Sequence, residues 1–153
     1  MAALICYATG VYHYSLDTLE QYFTMWYGVY DIEDRILTYG CAGHPPAVLV
    51  KSGANEPPQL LKSRGFPVGI LPPDLSAYEE NSIYLPFGSQ LYLFSDGAYE
   101  NPQSQKPREQ WQRFLNYLQQ FQGNSLQPLI QTLGDRLHSN HFDDDFSLLR
   151  VTL

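Results

Sequence analysis

A chain of 153 residues makes one domain of ordinary size, able to bury roughly 70% of the surface its unfolded form exposes. Hydrophobic residues at 44% and aromatics at 14% exclude a disordered chain and suit a sheet-rich core. The net charge of −7 argues against sequence-independent binding to nucleic acid, which needs a basic face; it suits a cytoplasmic protein or one drawing cations into an acidic cleft.

The opening "MAALICYATGVYHY" has neither the basic start nor the cleavage pattern of a signal peptide, and residues 1–21 read as an atypical N-terminal segment. "YFTMWYGVYD", Tyr22 to Asp31, is aromatic and β-branched and reads as a strand; "DIEDR" is a polar turn, and "ILTYGCAGH" returns as the second strand of a hairpin. "PPAVLVKSG" and "PPQLLKS" form a shorter pair around "GANE". Ser63 to Tyr78, with two glycines and three prolines, is a loop packed through Phe66, Val68 and Ile70. "NSIYLPFGSQLYLFSDG" gives two more strands with a tight turn at "PFGSQ".

Helical spacing then takes over. Trp111, Phe114, Leu115, Leu118 and Phe121 recur on one face, and Pro107 suits a first turn. Ser125 can cap a second helix with Leu129, Ile130, Leu133 and Leu137 on one stripe. "FSLLRVTL" closes the chain as a strand. Strands, two helices and a returning strand define an α+β fold of antiparallel sheets with helices on one face. Cys6 and Cys41 form no disulfide framework and read as reduced core thiols. No apolar run reaches the ~18 residues that cross a bilayer, so no membrane contact is expected.

Two features carry chemistry. The strand "LYLFSDG" ends by presenting Asp96 directly before Gly97, and "HFDDDFSLL" sets Asp143, Asp144 and Asp145 in a row before the last strand. Adjacent carboxylates repel unless they are solvated or neutralised by a cation, and oxygen-only donors suit hard ions such as Mg²⁺ or Mn²⁺. Read from composition alone, the stronger readings are a turn residue at Asp96 and a solvated turn at the three aspartates. Placing both at the tips of two apolar strands that could lie side by side lowers those odds. His138 and His141, in H-x-x-H spacing, read as surface residues or, less well, as metal ligands.

The segments "YFTMWYGVYD", "LTYGCAGHPPAVLV", "GFPVGI", "LYLFSDGAYE" and "DDFSLL" occur in an order that resembles the SpoIIE-like, or RsbU-like, metal-dependent serine/threonine phosphatases of the protein phosphatase 2C-like superfamily. The resemblance covers roughly residues 20 to 153. It implies a place in the four-layer α-β-β-α sandwich of that superfamily. It implies that Asp96 and Asp144 are metal ligands, with Asp145 in the second position of "DD-x-S" and Ser147 in place of the usual threonine. Gly97 would let the backbone approach the metal's waters. Two Mn²⁺ or Mg²⁺ ions would activate a shared water for attack on phosphorus, so no side-chain nucleophile is needed. The chain offers no G-x-S-x-G and no cysteine in an activating context.

His44 matches the family's "AGH" histidine, either orienting a loop or phosphate or tying the hairpin end to backbone. Thr24 matches a strand threonine and reads as structural, while Gly65, Pro67 and Gly69 match a "G-x-P-x-G" loop that shapes the rim. The expected partner is a phosphorylated STAS-domain protein, with a sensor or receiver domain upstream in a parent protein. Family members also carry an upstream "G-D" strand end and an Asp-x-x-Gly-His-Gly segment whose aspartate bridges both metals. Residues 1–21 contain neither, and Asp17 lies in no such context. The chain is therefore expected to be the C-terminal part of a phosphatase domain, with a sheet edge open to a homodimer. A non-catalytic docking module, or a purely structural or oligomerisation domain, is the competing expectation.

Overall fold

The computed structural model describes residues 2–13, 21–52, 56–72, 74–101, 105–121, 123–137 and 145–153. Among them are eight strands, β1 (Ala2–His13), β2 (Gln21–Asp31), β3 (Ile36–Ala42), β4 (Ala47–Val50), β5 (Gln59–Leu61), β6 (Glu80–Tyr84), β7 (Gln90–Phe94) and β8 (Leu148–Thr152), and two helices, α1 (Pro107–Gln120) and α2 (Gln127–Leu137). They build two four-stranded sheets, ordered β1-β2-β3-β6 and β5-β4-β7-β8. The chain divides into two compact units, Met1–Ala47 with Leu60–Phe87, and Val48–Gln59 with Gly88–Leu153.

In the first unit β1, β2, β3 and β6 pair antiparallel in sequence order, with β1 and β6 at the edges. Side chains alternate across the pleat, so Ile5, Trp26, Tyr30, Leu37, Tyr39 and Cys41 share one buried face. Trp26 stacks on Tyr39 with ring centroids 5.9 Å apart, and Trp26 Nε1 is a buried donor with no partner among the described residues. Leu4, Tyr27, Ile36 and Tyr84 lie on the opposite, exposed face. The atypical N-terminal segment thus contains a strand, which its mixed sequence concealed. Cys6 follows the same alternation and is exposed, not a core thiol; Cys41 is buried, and burial raises its thiol pKa to about 11.

The two strands around "PFGSQ" do not form a hairpin. β6 pairs with β3 and β7 with β4 and β8, so the turn carries the chain from one sheet to the other. At its ends Leu85 N–H donates to the Arg35 carbonyl and Gly88 N–H to the Leu153 carbonyl, each anchoring to a different sheet. Sequence-adjacent strands usually pair, but backbone hydrogen bonds to more distant strands won here.

In the second unit β7 lies between β4 and β8, and Leu91, Tyr92, Leu93 and Phe94 are all buried. An unbroken apolar run is what a central strand covered on both faces requires. α1 starts at Pro107, where a missing N–H is harmless, and Gln127 N–H is held by Ser125 Oγ at the entry to α2. Phe114, Leu118, Leu129 and Leu133 are buried along the helices. Arg150 on β8 donates to the Gly123 and Asn124 carbonyls between the helices and lies over the Phe121 ring at 5.6 Å.

Candidate metal centre

β7 ends at Phe94, and the antiparallel pairing sets Phe94 opposite Leu148. The ladder continues one residue further, because Ser95 N–H donates to the Ser147 carbonyl at 3.1 Å. Ser95 Oγ then closes the junction. It donates to the Asp145 carbonyl and accepts from Ser147 N–H, both at 2.9 Å. Ser95 is only 7% exposed, so these bonds are made away from competing water. The two strand tips therefore meet, and one hydroxyl fastens the backbone at Asp145 to the residue before Asp96.

Asp96 opens a single 3-10 turn, Asp96–Ala98. Its Oδ1 accepts from Gly97 N–H at 3.0 Å, and its carbonyl accepts from Tyr99 and Glu100 N–H at 3.0 and 2.8 Å. The side chain is half-buried, makes no ion pair among the described residues, and leaves its second carboxylate oxygen without a hydrogen bond among them. A carboxylate steered by its own backbone, with one oxygen uncommitted, is a hard oxygen donor of the kind that suits Mg²⁺ or Mn²⁺ better than a soft metal.

Asp145 is exposed beside this turn. Asp143, Asp144, His138 and His141 lie outside the described residues. Among the described residues no three histidine, cysteine, aspartate or glutamate side chains gather at one point.

His44, Thr24 and the "G-x-P-x-G" loop belong to the first unit. His44 is 8% exposed, its Nδ1–H donates to the Pro45 carbonyl at 2.8 Å, and its ring meets Tyr7 edge-on at 5.2 Å. Thr24 sits half-buried in β2, opposite Thr9. The loop is clasped to the sheet. Gly43 N–H donates to the Gly65 carbonyl at 2.8 Å, and Phe23 and Val68 exchange two backbone bonds of 3.1 and 2.9 Å. The two glycine motifs thus hold one another.

Sequence reasoning passed over Ser95. Its signal was a small polar residue at the end of an otherwise apolar strand, where a buried hydroxyl needs partners. Ser95→Ala is expected to remove both hydroxyl bonds to the backbone at Asp145 and Ser147 and to lower stability by about 1–3 kcal/mol. Urea unfolding checks this; an unchanged midpoint would remove the clamp from the account.

Two antiparallel sheets with two helices make an α+β fold, and the solved structures that share it are phosphatase domains of the PP2C type. The chain resembles the SiaA PP2C domain of Pseudomonas aeruginosa with a TM-score of 0.69 at 19% identity, over 90% of this chain and 55% of that one. It resembles the PP2C phosphatase domain with a regulatory fragment of the cell fate determinant SpoIIE from Bacillus subtilis at 0.67 and 22% identity, over 91% and 40%. It resembles the RsbU and RsbW domains of a Mycobacterium tuberculosis protein at 0.67 and 23% identity, over 84% and 36%. The chain therefore spans about half or less of the length of these neighbours. No curated protein sequence matches it. The family model for stage II sporulation protein E (SpoIIE) matches residues 7–153, and the chain belongs to that family.

Proposed function

We propose that the chain is the metal-binding part of a serine/threonine phosphoprotein phosphatase of bacterial signalling, working in the cytoplasm on a phosphorylated STAS-type protein. The observation that carries this reading is the Ser95 clamp, which brings the β7 tip bearing Asp96 against the backbone at Asp145. Asp96 and Asp144 would hold the metal, Mn²⁺ or Mg²⁺, with Asp145 beside them and Gly97 leaving room at the turn. Two such ions in a complete domain would supply a water of lowered pKa and a clamp for phosphoryl oxygens. The protein's own part is to fix carboxylate oxygens where a hydrated ion can reach them and to hold that geometry rigid through the β7–β8 ladder. His44 and Thr24 would support the rim. A sensor or receiver domain elsewhere in the full protein would govern activity.

A second reading is a phosphatase fold kept as a docking or regulatory module. Calorimetric titration with Mn²⁺ separates the two. Saturable binding that disappears in both Asp96→Asn and Asp144→Asn is the expected result. Absence of binding in the wild type would leave the docking reading standing.

The outer edge of β1, twelve residues long, has its hydrogen-bonding groups unpaired by any neighbouring strand among the described residues. Long open edges invite strand addition. A homodimer through this edge is expected in sedimentation at high concentration, and a monomer there would exclude it.

A further inference from the structure

Immediately downstream of Asp96, a cavity of about 180 Å³ opens in the second unit, lined by Tyr99, Glu100, Asn101, Pro107 and Gln110. That is room for a single side-chain head group or a few waters. Gln110 is 8% exposed and makes no side-chain hydrogen bond among the described residues, although its amide lines the cavity. An amide in a cavity wall without a protein partner is placed to bond a polar ligand there.

The character of that ligand follows from the wall. An anion is disfavoured even though the wall includes the N-terminal turn of α1. Pro107 has no N–H, those of Glu109 and Gln110 already donate to the Lys106 carbonyl, and Glu109 adds negative charge to the first turn. Lys106, at the start of this turn, is engaged by Glu109 at 2.9 Å. Glu100 remains as the charge in the cavity, with Asp96 four residues before it. Tyr99 supplies an aromatic surface that cannot swing away. Its ring packs edge-on against Phe94 at 5.8 Å and against Trp111 at 4.7 Å. A carboxylate, the Gln110 amide and a fixed aromatic ring together match a planar guanidinium, which pairs with carboxylate in a fork and lies well against rings. Lysine presents a compact point charge and uses fewer of these groups.

We propose that this cavity receives an arginine side chain of the phosphoprotein substrate, placed close to the residue that is dephosphorylated. The proposal rests on the phosphatase reading for its biological sense, since it takes the Asp96 turn as the reacting centre and the cavity as its specificity pocket.

The test uses the chain with Nα-acetyl-arginine methylamide and its lysine and citrulline counterparts. Trp111 fluorescence and the Gln110 side-chain amide resonance report binding, and Mn²⁺ is titrated in parallel. Saturable arginine binding is expected, weakened about tenfold or more for citrulline and in Glu100→Gln, a change at an exposed residue that spares the fold. Gln110→Leu is expected to weaken binding while thermal unfolding verifies that it remains folded. Equal binding of arginine and citrulline, or arginine binding indifferent to Glu100→Gln, overturns the pocket. No arginine binding beside normal, Asp96-dependent Mn²⁺ binding overturns the pocket alone and leaves the metal centre. Arginine binding without Mn²⁺ binding keeps a guanidinium site but overturns its role in a phosphatase.

Discussion

Gly65→Ala is expected to lower the stability of this protein by about 3 kcal/mol, the upper end of what overpacking costs. A methyl group built on Gly65 meets the Cys41 carbonyl oxygen at 2.2 Å and the Tyr78 ring at 2.7 Å. The oxygen cannot retreat, because Cys41 is held opposite Trp26 in the β2–β3 ladder. The loop would have to lift, breaking the bond from Gly43 N–H to the Gly65 carbonyl. Gly43 is constrained from the other side: its φ is +68°, and a Cβ there would sit 2.4 Å from Pro67 Cγ. Alanine at both positions should cost less than the sum of the single changes, since both break one clasp. For a chain of this size, thermal denaturation should show Gly65→Ala melting roughly 6–12 °C lower. A melting temperature within a degree or so of wild type would mean that the loop is not clasped in this way.

Phe114→Ala is the second large effect, with an expected loss of about 3–5 kcal/mol. The Phe114 side chain is fully buried and packs edge-on against Phe94 at 4.8 Å, with Trp111 at 5.7 Å and Tyr99 at 5.8 Å. The cluster joins β7, the turn that carries Asp96, and α1. Removing its central ring leaves a cavity that three rigid aromatics cannot collapse to fill. Phe114→Leu, which keeps much of the volume, should recover most of the loss. Urea unfolding at constant slope measures both, and a midpoint unmoved by the alanine change would show that the cluster contributes little. Tyr99 belongs to both the cluster and the cavity wall, so the alanine variant should also weaken arginine binding.

The local elements were largely legible because each writes its own period. β7 is a run of apolar residues and is central and buried; α1 repeats its apolar residues at helical spacing and begins at Pro107. The β2–β3 hairpin follows from the polar turn between two β-rich runs. β1 was not legible, because its exposed face carries Leu4, Cys6 and Ala8 beside buried Ile5, and no polar alternation marks it. The partner choice of β6 and β7 was equally hidden: a short turn with glycine reads as a hairpin wherever it occurs.

Within the candidate site, the sequence by itself singled out Asp96, because a carboxylate at the end of an apolar strand is conspicuous, and the motif order pointed to the phosphatase family. It also set Asp143, Asp144 and Asp145 before the last strand. What only the tertiary structure decided is that β7 and β8 are neighbours in register, so that Ser95 can bond across to Asp145 and Ser147. It likewise decided that Gln110, one polar residue among many on α1, is buried against the Asp96 turn. The reason is one of range. Helical and strand periods are properties of neighbouring residues, whereas strand order, cross-strand hydrogen bonds and the walls of a cavity depend on groups separated by 50 positions or more. Only the packing of the whole chain chooses among the partners that local chemistry allows.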